Sequence, residues 1–158
     1  DADNDSEELQ LKGEAFKLST SKKAYFSARF KLSDATESDM LLGLAITDTT
    51  AIDGVTDGVF FKKDDGDTNL DFVVEKDSTE TATAAVGTVA DDTFITATFF
   101  IDPDRAKVYY SINNAAPVGV ANTNLPDDEE LTVTIAVQAG AAAAKSLTVD
   151  YVSAIVER

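Results

Sequence analysis

The chain has 158 residues and a net charge of −16, and it contains neither cysteine nor histidine. The missing residue types exclude disulfides, thiol nucleophiles, histidine metal sites and Ser-His-Asp catalysis. The negative charge disfavours binding to nucleic acid or to anionic membranes, and no apolar run approaches the roughly 20 residues that span a bilayer. The length predicts one domain.

The N-terminal residues are polar and acidic, unlike the rest of the chain. We expect residues 1–11 to form an arm that is flexible or that adds as a strand to a partner, and residues 12–158 to form a single domain. Asn4-Asp5-Ser6 matches a glycosylation sequon, a pattern of little weight by itself.

Apolar and polar residues alternate with period two in three segments, namely residues 23–32, 107–112 and 131–138. Such alternation places successive side chains on opposite faces of a strand. Each segment is therefore predicted to be a strand with one face in the core and one in solvent.

Other segments are rich in β-branched and aromatic residues without clear alternation. They predict strands that are buried on both faces or lie at sheet centres, at residues 40–47, 59–62, 70–75, 94–101 and 147–156.

Turn signals separate these segments at intervals of about ten residues. They are Asp53-Gly54, Asp57-Gly58, Asp65-Gly66, Asp102-Pro103-Asp104 and Asn113-Asn114. Residues 140–145 include four alanines, but this run is too short for a stable helix and predicts a loop or single turn. The predicted fold class is all-β, a two-sheet antiparallel jelly-roll sandwich.

Glu75-Lys76-Asp77-Ser78-Thr79-Glu80 has the E-x-D-x-x-E spacing of a large family of retaining β-glucanases built on jelly rolls. The resemblance implies a carboxyl pair formed by Glu75 and Glu80. The positions between the acidic residues are apolar in those enzymes and polar here, and the chain has no tryptophan for sugar stacking. An exposed strand end is the favoured interpretation, and no catalytic residue is predicted.

Three further acidic clusters have simple structural interpretations. Residues 63–69 carry enough oxygen ligands for calcium, but a hairpin turn centred on Asp65-Gly66 is favoured. Residues 127–130 predict a solvated loop or a contact with a basic partner, and Asp91-Asp92 predicts a turn. No metal or cofactor site is predicted.

Four tyrosines, Tyr25, Tyr109, Tyr110 and Tyr151, are the aromatic residues considered for sugar stacking. At strand spacing, packing in a core or on a sheet face is the commoner role of such residues.

The C-terminal half resembles the concanavalin A-like sandwiches in the segments at residues 94–96, 107–114 and 147–152. A longer likeness runs through residues 25–36, 43–48, 53–58 and 124–131, and covers most of residues 16–158. There the chain is similar to tailed-phage virion proteins that decorate or cement capsids.

The phage resemblance implies a non-enzymatic structural protein that binds the major capsid protein on the capsid exterior of the virion. A homotrimer is expected because local threefold sites are natural docking points, and an anionic protein is disfavoured inside a DNA-filled shell. The alternative is a lectin-like module on the same fold that binds host glycans.

Overall fold

The computed structural model describes residues 3–158, so Asp1 and Ala2 of the predicted arm lie outside the described residues. The described part contains strands, one short helix and a 3₁₀ turn at Pro103–Arg105. These are β1 (Ser6–Gln10), β2 (Ala24–Leu32), β3 (Ser38–Ala45), α1 (Ala51–Gly54), β4 (Gly58–Lys63), β5 (Asn69–Lys76), β6 (Thr79–Thr88), β7 (Ile95–Asp102), β8 (Lys107–Ile112), β9 (Val118–Ala121), β10 (Thr132–Ala139) and β11 (Leu147–Val156).

The strands form two sheets in which all neighbours are antiparallel. The six-stranded sheet has the order β1-β10-β3-β4-β5-β6, and the five-stranded sheet has the order β11-β2-β7-β8-β9. The chain thus crosses repeatedly between layers, as in a jelly roll. The predicted all-β, two-sheet sandwich is confirmed.

The core lies between the inner faces of the two sheets and is built around phenylalanine rings. The Phe26 and Phe99 rings stack at 5.1 Å within the five-stranded sheet, and Phe99 lies 5.9 Å from Phe72 in the opposite sheet. All three side chains are fully buried. These ring contacts join the two layers into one hydrophobic unit.

A second, smaller core lies on the outer face of the six-stranded sheet. Residues 46–57, here called the covering loop, include α1 and bury apolar side chains of four strands: Leu41, Phe60, Val73 and Ala136. The prediction of a solvent-exposed face for residues 131–138 is therefore wrong, since Thr132 and Thr134 are also fully buried. Sequence alternation does not show that a distant loop covers the polar face.

The predicted turns have mixed outcomes. Asp65-Gly66 and Asn113-Asn114 form turns between strands, and Asp102-Pro103-Asp104 leads into the 3₁₀ turn, as predicted. Asp53-Gly54 instead ends the single turn of α1, within the covering loop. Residues 140–145 form a loop, which confirms that prediction.

The structure corrects several strand assignments. Residues 147–156, predicted as a doubly buried or central strand, form the edge strand β11, and β7 alternates between buried and half-buried residues. β6 and β9 were not predicted, because threonine, alanine and glycine give them little apolar signal. Ser6–Gln10, within the predicted arm, pairs with β10 of its own chain. No helix within residues 3–158 is long and apolar enough to cross a membrane.

Candidate functional site

Glu75 and Glu80 lie directly opposite each other on neighbouring strands of the six-stranded sheet. The two-residue turn between them has positive φ at both Asp77 and Ser78, the geometry of a type I′ hairpin. The E-x-D-x-x-E segment is therefore folded into a hairpin and does not run along one strand. Asp77 lies in the turn, where its backbone N–H donates to Asp57 Oδ1 at 3.0 Å.

The two carboxyl groups differ in their surroundings. Glu75 is half-buried, and burial followed by the nearby charge of Glu80 raises its pKa. Glu80 is exposed, and Lys62 Nζ lies 3.9 Å from its Oε2. A raised pKa beside a second carboxylate is one requirement of a glycosidase. The aromatic ring on the adjacent strand, Phe60, is buried beneath the covering loop and offers no surface to a sugar.

The acidic loop at residues 63–69 is organised by hydrogen bonds between side chains and backbone. Asp39 Oδ1 accepts from the Asp65 N–H at 2.7 Å, and Asp67 Oδ1 accepts from the Asn69 N–H at 3.0 Å. Lys63 points into the core, where its ammonium donates to the backbone carbonyl of Ser38. Within residues 3–158, no group of three or more acidic side chains is arranged to hold a metal ion. The hairpin turn accounts for the sequence pattern here.

The other acidic clusters serve as ties between segments. Lys76 Nζ contacts Asp127 at 2.7 Å and Asp128 at 3.0 Å, so residues 127–130 are anchored to the β5–β6 hairpin. Asp91 Oδ1 accepts from the Ala35 N–H at 2.7 Å, and Asp92 pairs with Lys31 at 2.9 Å. Asn4 of the sequon is exposed.

The outer face of the five-stranded sheet carries a row of aromatic side chains. Strand pairing aligns Tyr25 on β2, Phe100 on β7 and Tyr109 on β8. The Phe100 and Tyr109 rings stack at 4.9 Å with an interplanar angle of 10°. Gly119 on β9 completes the row, and a Cβ there would lie 2.7 Å from the Tyr109 ring. Glycine at this position makes room for the ring.

A row of hydroxyl groups runs beside the rings. Ser27 Oγ lies 2.9 Å from Thr98 Oγ1 and 3.4 Å from the hydroxyl of Tyr151 on β11. Ser153 and Ser111 occupy the two ends of the same register row. Ser27 is buried and Ser111 Oγ donates to the Ala115 carbonyl at 2.7 Å, so these two hydroxyls are engaged within the protein. The hydroxyl of the exposed Tyr151 can both donate and accept hydrogen bonds.

Together, Tyr25, Phe100, Tyr109 and Tyr151 are here called the aromatic face. Tyr25 is 39% exposed and Tyr151 is 43% exposed, which leaves ring surface available to a ligand. A shallow depression of about 300 Å³ adjoins Tyr25 and Phe100 and is also lined by Lys23, Ala24, Ile101, Ile155 and Glu157.

Two positive side chains next to the aromatic face, Arg29 and Lys31, form ion pairs. Arg29 contacts Asp150 at 2.7 Å and Lys31 contacts Asp92 at 2.9 Å. The Arg29 guanidinium also lies 4.0 Å from the centre of the Phe94 ring. The face thus presents rings and hydroxyls with little net charge, in a molecule that is otherwise strongly anionic.

Sequence reasoning identified three of the four residues of the aromatic face. Successive residues of a strand point to opposite faces of the sheet, and the tyrosines are divided accordingly. Tyr110 is 9% exposed and belongs to the core, whereas Tyr25, Tyr109 and Tyr151 face outward. Phe100 was missed because its segment was predicted to be buried. The polar residues that alternate with apolar ones along β2 and β8 are the signal that marks this face.

No protein-family model matches the sequence, and no curated protein does either. Solved structures do match the fold. The Emp47p carbohydrate recognition domain has a TM-score of 0.70 at 13% identity, over 96% of this chain and 78% of that one. The potassium-bound Emp46p carbohydrate recognition domain has a TM-score of 0.68 at 12% identity, over 97% of this chain and 79% of that one.

A protein of unknown function from Shewanella oneidensis MR-1 has a TM-score of 0.61 at 11% identity, over 84% of this chain, which spans 57% of that protein. At these identities the likeness shows the fold alone. The chain has a concanavalin A-like jelly-roll fold. Nothing in these comparisons supports the expected capsid role or the trimer.

Proposed function

We propose that this domain binds carbohydrate on the aromatic face. The observation that carries the proposal is the uncovered row of rings on the five-stranded sheet, with a row of hydroxyls beside it. Sugar rings pack their C–H faces on aromatic side chains, while their hydroxyls need donors and acceptors close by. The fold likeness to carbohydrate recognition domains supports this proposal.

Neutral glycans are the proposed ligands. The chain has a net charge of −16, which repels uronates and sulfated sugars at long range. Arg29 and Lys31 are engaged by Asp150 and Asp92, so they do not offer free positive charge to an anionic sugar. A neutral sugar avoids this repulsion and can use the rings and hydroxyls.

The function is proposed to be binding without hydrolysis. Glu75 and Glu80 lie on the opposite sheet from the aromatic face, so a sugar held by the rings would not reach them. We expect no hydrolysis of β-glucans by the protein or by its Glu75→Gln variant, measured by reducing-sugar release.

A glycan array followed by calorimetry tests the proposal. Tyr25→Ala and Tyr109→Ala should each weaken binding of the best neutral glycan about fivefold to tenfold, because one aromatic contact is lost. Leu9→Ala is the matched control, since Leu9 is 57% exposed but belongs to the six-stranded sheet. Its affinity should equal that of the parent. Absence of any glycan binding, or tyrosine variants with full affinity, would refute the assignment.

Decoration of the capsid exterior of a virion is the second candidate function. It is supported by the resemblance of most of residues 16–158 to phage decoration proteins and by the net charge, which disfavours the DNA-filled interior. Glycan binding and capsid binding are compatible on different surfaces. Saturable binding to capsids stripped of their decoration protein, measured by co-sedimentation, would support this role, and a lack of co-sedimentation would remove it.

A further inference from the structure

The edge strand β11 has the features of a pairing surface. It is ten residues long and pairs on one side with β2, so the backbone groups of its other side are open. Natural edge strands usually carry lysine, proline or other protection against pairing. β11 has neither residue, and its one charged side chain, Asp150, forms an ion pair with Arg29 at 2.7 Å.

Apolar side chains border this edge on both faces of the sheet. On the outer face, Ile155 is 61% exposed and Tyr151 is 43% exposed. On the inner side, a groove of about 360 Å³ opens between the two sheets and is lined by Leu147, Val149, Leu9, Ile135, Val137, Glu7 and Glu8. A strand added along residues 150–156 would cover the outer apolar side chains Tyr151 and Ile155. The groove lies further along β11, at Leu147 and Val149.

The occupant that fits the edge best is a second copy of the same strand. Two β11 strands can pair antiparallel about a twofold axis at Ser153, which sets Tyr151 of each copy opposite Ile155 of the other. Aromatic and β-branched residues are favourable cross-strand partners. The paired stretch would run from residue 150 to 156 and end at the bulge beside Asp150.

Net charge opposes association of two copies and therefore limits which edges can meet. Two copies that each carry a net charge of −16 repel each other. The least unfavourable approach is along a strand that has no unpaired charged side chain. β1, an edge strand of the other sheet, carries Glu7 and Glu8 and is a poorer choice.

We propose that the protein forms a twofold dimer in which the two β11 strands pair and join two five-stranded sheets into one continuous ten-stranded sheet. An isologous contact of this kind closes with two copies and differs from the expected trimer. It places two aromatic faces side by side on one surface. Glycan binding by a single chain does not require it, so a monomer would overturn this inference and leave the proposed function standing.

Cysteine cross-linking gives a direct test, because the chain has no cysteine of its own. Residues opposed in an antiparallel pair have Cα atoms about 4.5–5.5 Å apart, within the range that a disulfide spans. Ser153→Cys should form a covalent dimer under mild oxidation. Ala121→Cys, on the exposed edge strand β9 of the same sheet, is the matched control and should remain monomeric.

Light scattering on the parent protein supplies the second measurement. The mass is expected to rise towards twice that of the 16.8 kDa monomer as added salt screens the repulsion between the two copies. Ile155→Lys should return the mass to that of a monomer, because it replaces the apolar partner of Tyr151 with lysine, the residue that protects natural edge strands from pairing. A trimer mass, equal cross-linking of both cysteine variants, or a dimer that survives Ile155→Lys would overturn the proposal.

Discussion

Lys145 shows how single charged residues organise the surface of this protein. Its side chain is 7% exposed, and its ammonium contacts Asp34 at 2.7 Å and Glu37 at 3.0 Å. These contacts tie the alanine-rich loop to the connection between β2 and β3. The hydrogen bond from Lys145, with further bonds from the Glu37 and Thr36 backbone, lowers the pKa of Asp34 to about 2.

The lowered pKa of Asp34 predicts a specific acid sensitivity. The unfolded chain has the higher pKa and binds the proton first, so this contribution to stability is complete above about pH 4 and is lost as the pH falls towards 2. Asp34→Asn keeps the Oδ1 acceptor and removes the charge. We expect this variant to lose less than about 1 kcal/mol of unfolding free energy at pH 7. Its unfolding free energy should also fall less steeply than that of the parent between pH 4 and 2, as measured by urea unfolding.

The exposed Asp53→Asn variant controls for the loss of one negative charge. It should retain the pH profile of the parent between pH 4 and 2. A parent-like profile in Asp34→Asn would show that Asp34 does not make this contribution.

Strands β3 and β4 show how closely the elements of the six-stranded sheet approach each other. A Cβ at Gly43 would lie 2.4 Å from the Val59 carbonyl oxygen and 2.5 Å from Phe60 Cα. Both contacts are with backbone, which cannot move aside as a side chain can. On the outer face of this sheet, strand β1 holds the covering loop by two hydrogen bonds. Glu8 accepts from the Ala51 N–H at 2.7 Å, and Gln10 donates to the Ile46 carbonyl at 3.1 Å.

Gly43→Ala is therefore expected to separate β3 from β4 and to destabilise the fold by about 3 kcal/mol. Gly87→Ala in β6 is the matched control, since its Cβ would meet the side chain of Ile112 at 3.1 Å and that side chain can adjust. Its cost should be below about 1 kcal/mol. Thermal and denaturant unfolding of the two variants measures the difference, and equal stabilities would contradict the packing argument.

At the scale of the whole molecule, the two sheets present different surfaces. The six-stranded sheet is partly covered by a loop and carries carboxylates, whereas the five-stranded sheet is uncovered and carries rings and hydroxyls. The chain has 29 acidic and 13 basic residues, and the excess negative charges repel one another across both sheets.

This repulsion predicts that salt stabilises the protein. Raising sodium chloride from about 10 to 500 mM shortens the Debye length from about 30 Å to below 8 Å and should raise the melting temperature by several degrees. The measurement is thermal unfolding followed by circular dichroism at fixed pH. An unchanged or lower melting temperature would mean that the local ion pairs, such as Lys76 with Asp127, outweigh the global repulsion.

The sequence by itself determined the fold class and most strands, because alternation and turn chemistry are local properties of the chain. Residues 107–112 were located with their correct bounds by alternation, and residues 147–156 by their content of β-branched and aromatic residues. Only the tertiary structure decided which face of each strand remains open and which strand ends a sheet. Those properties depend on segments far apart in sequence. The buried hydroxyls of Thr132 and Thr134 bond to Leu11 and Gln10, and the pairing of β2 with β7 and β11 brings the rings of the aromatic face together.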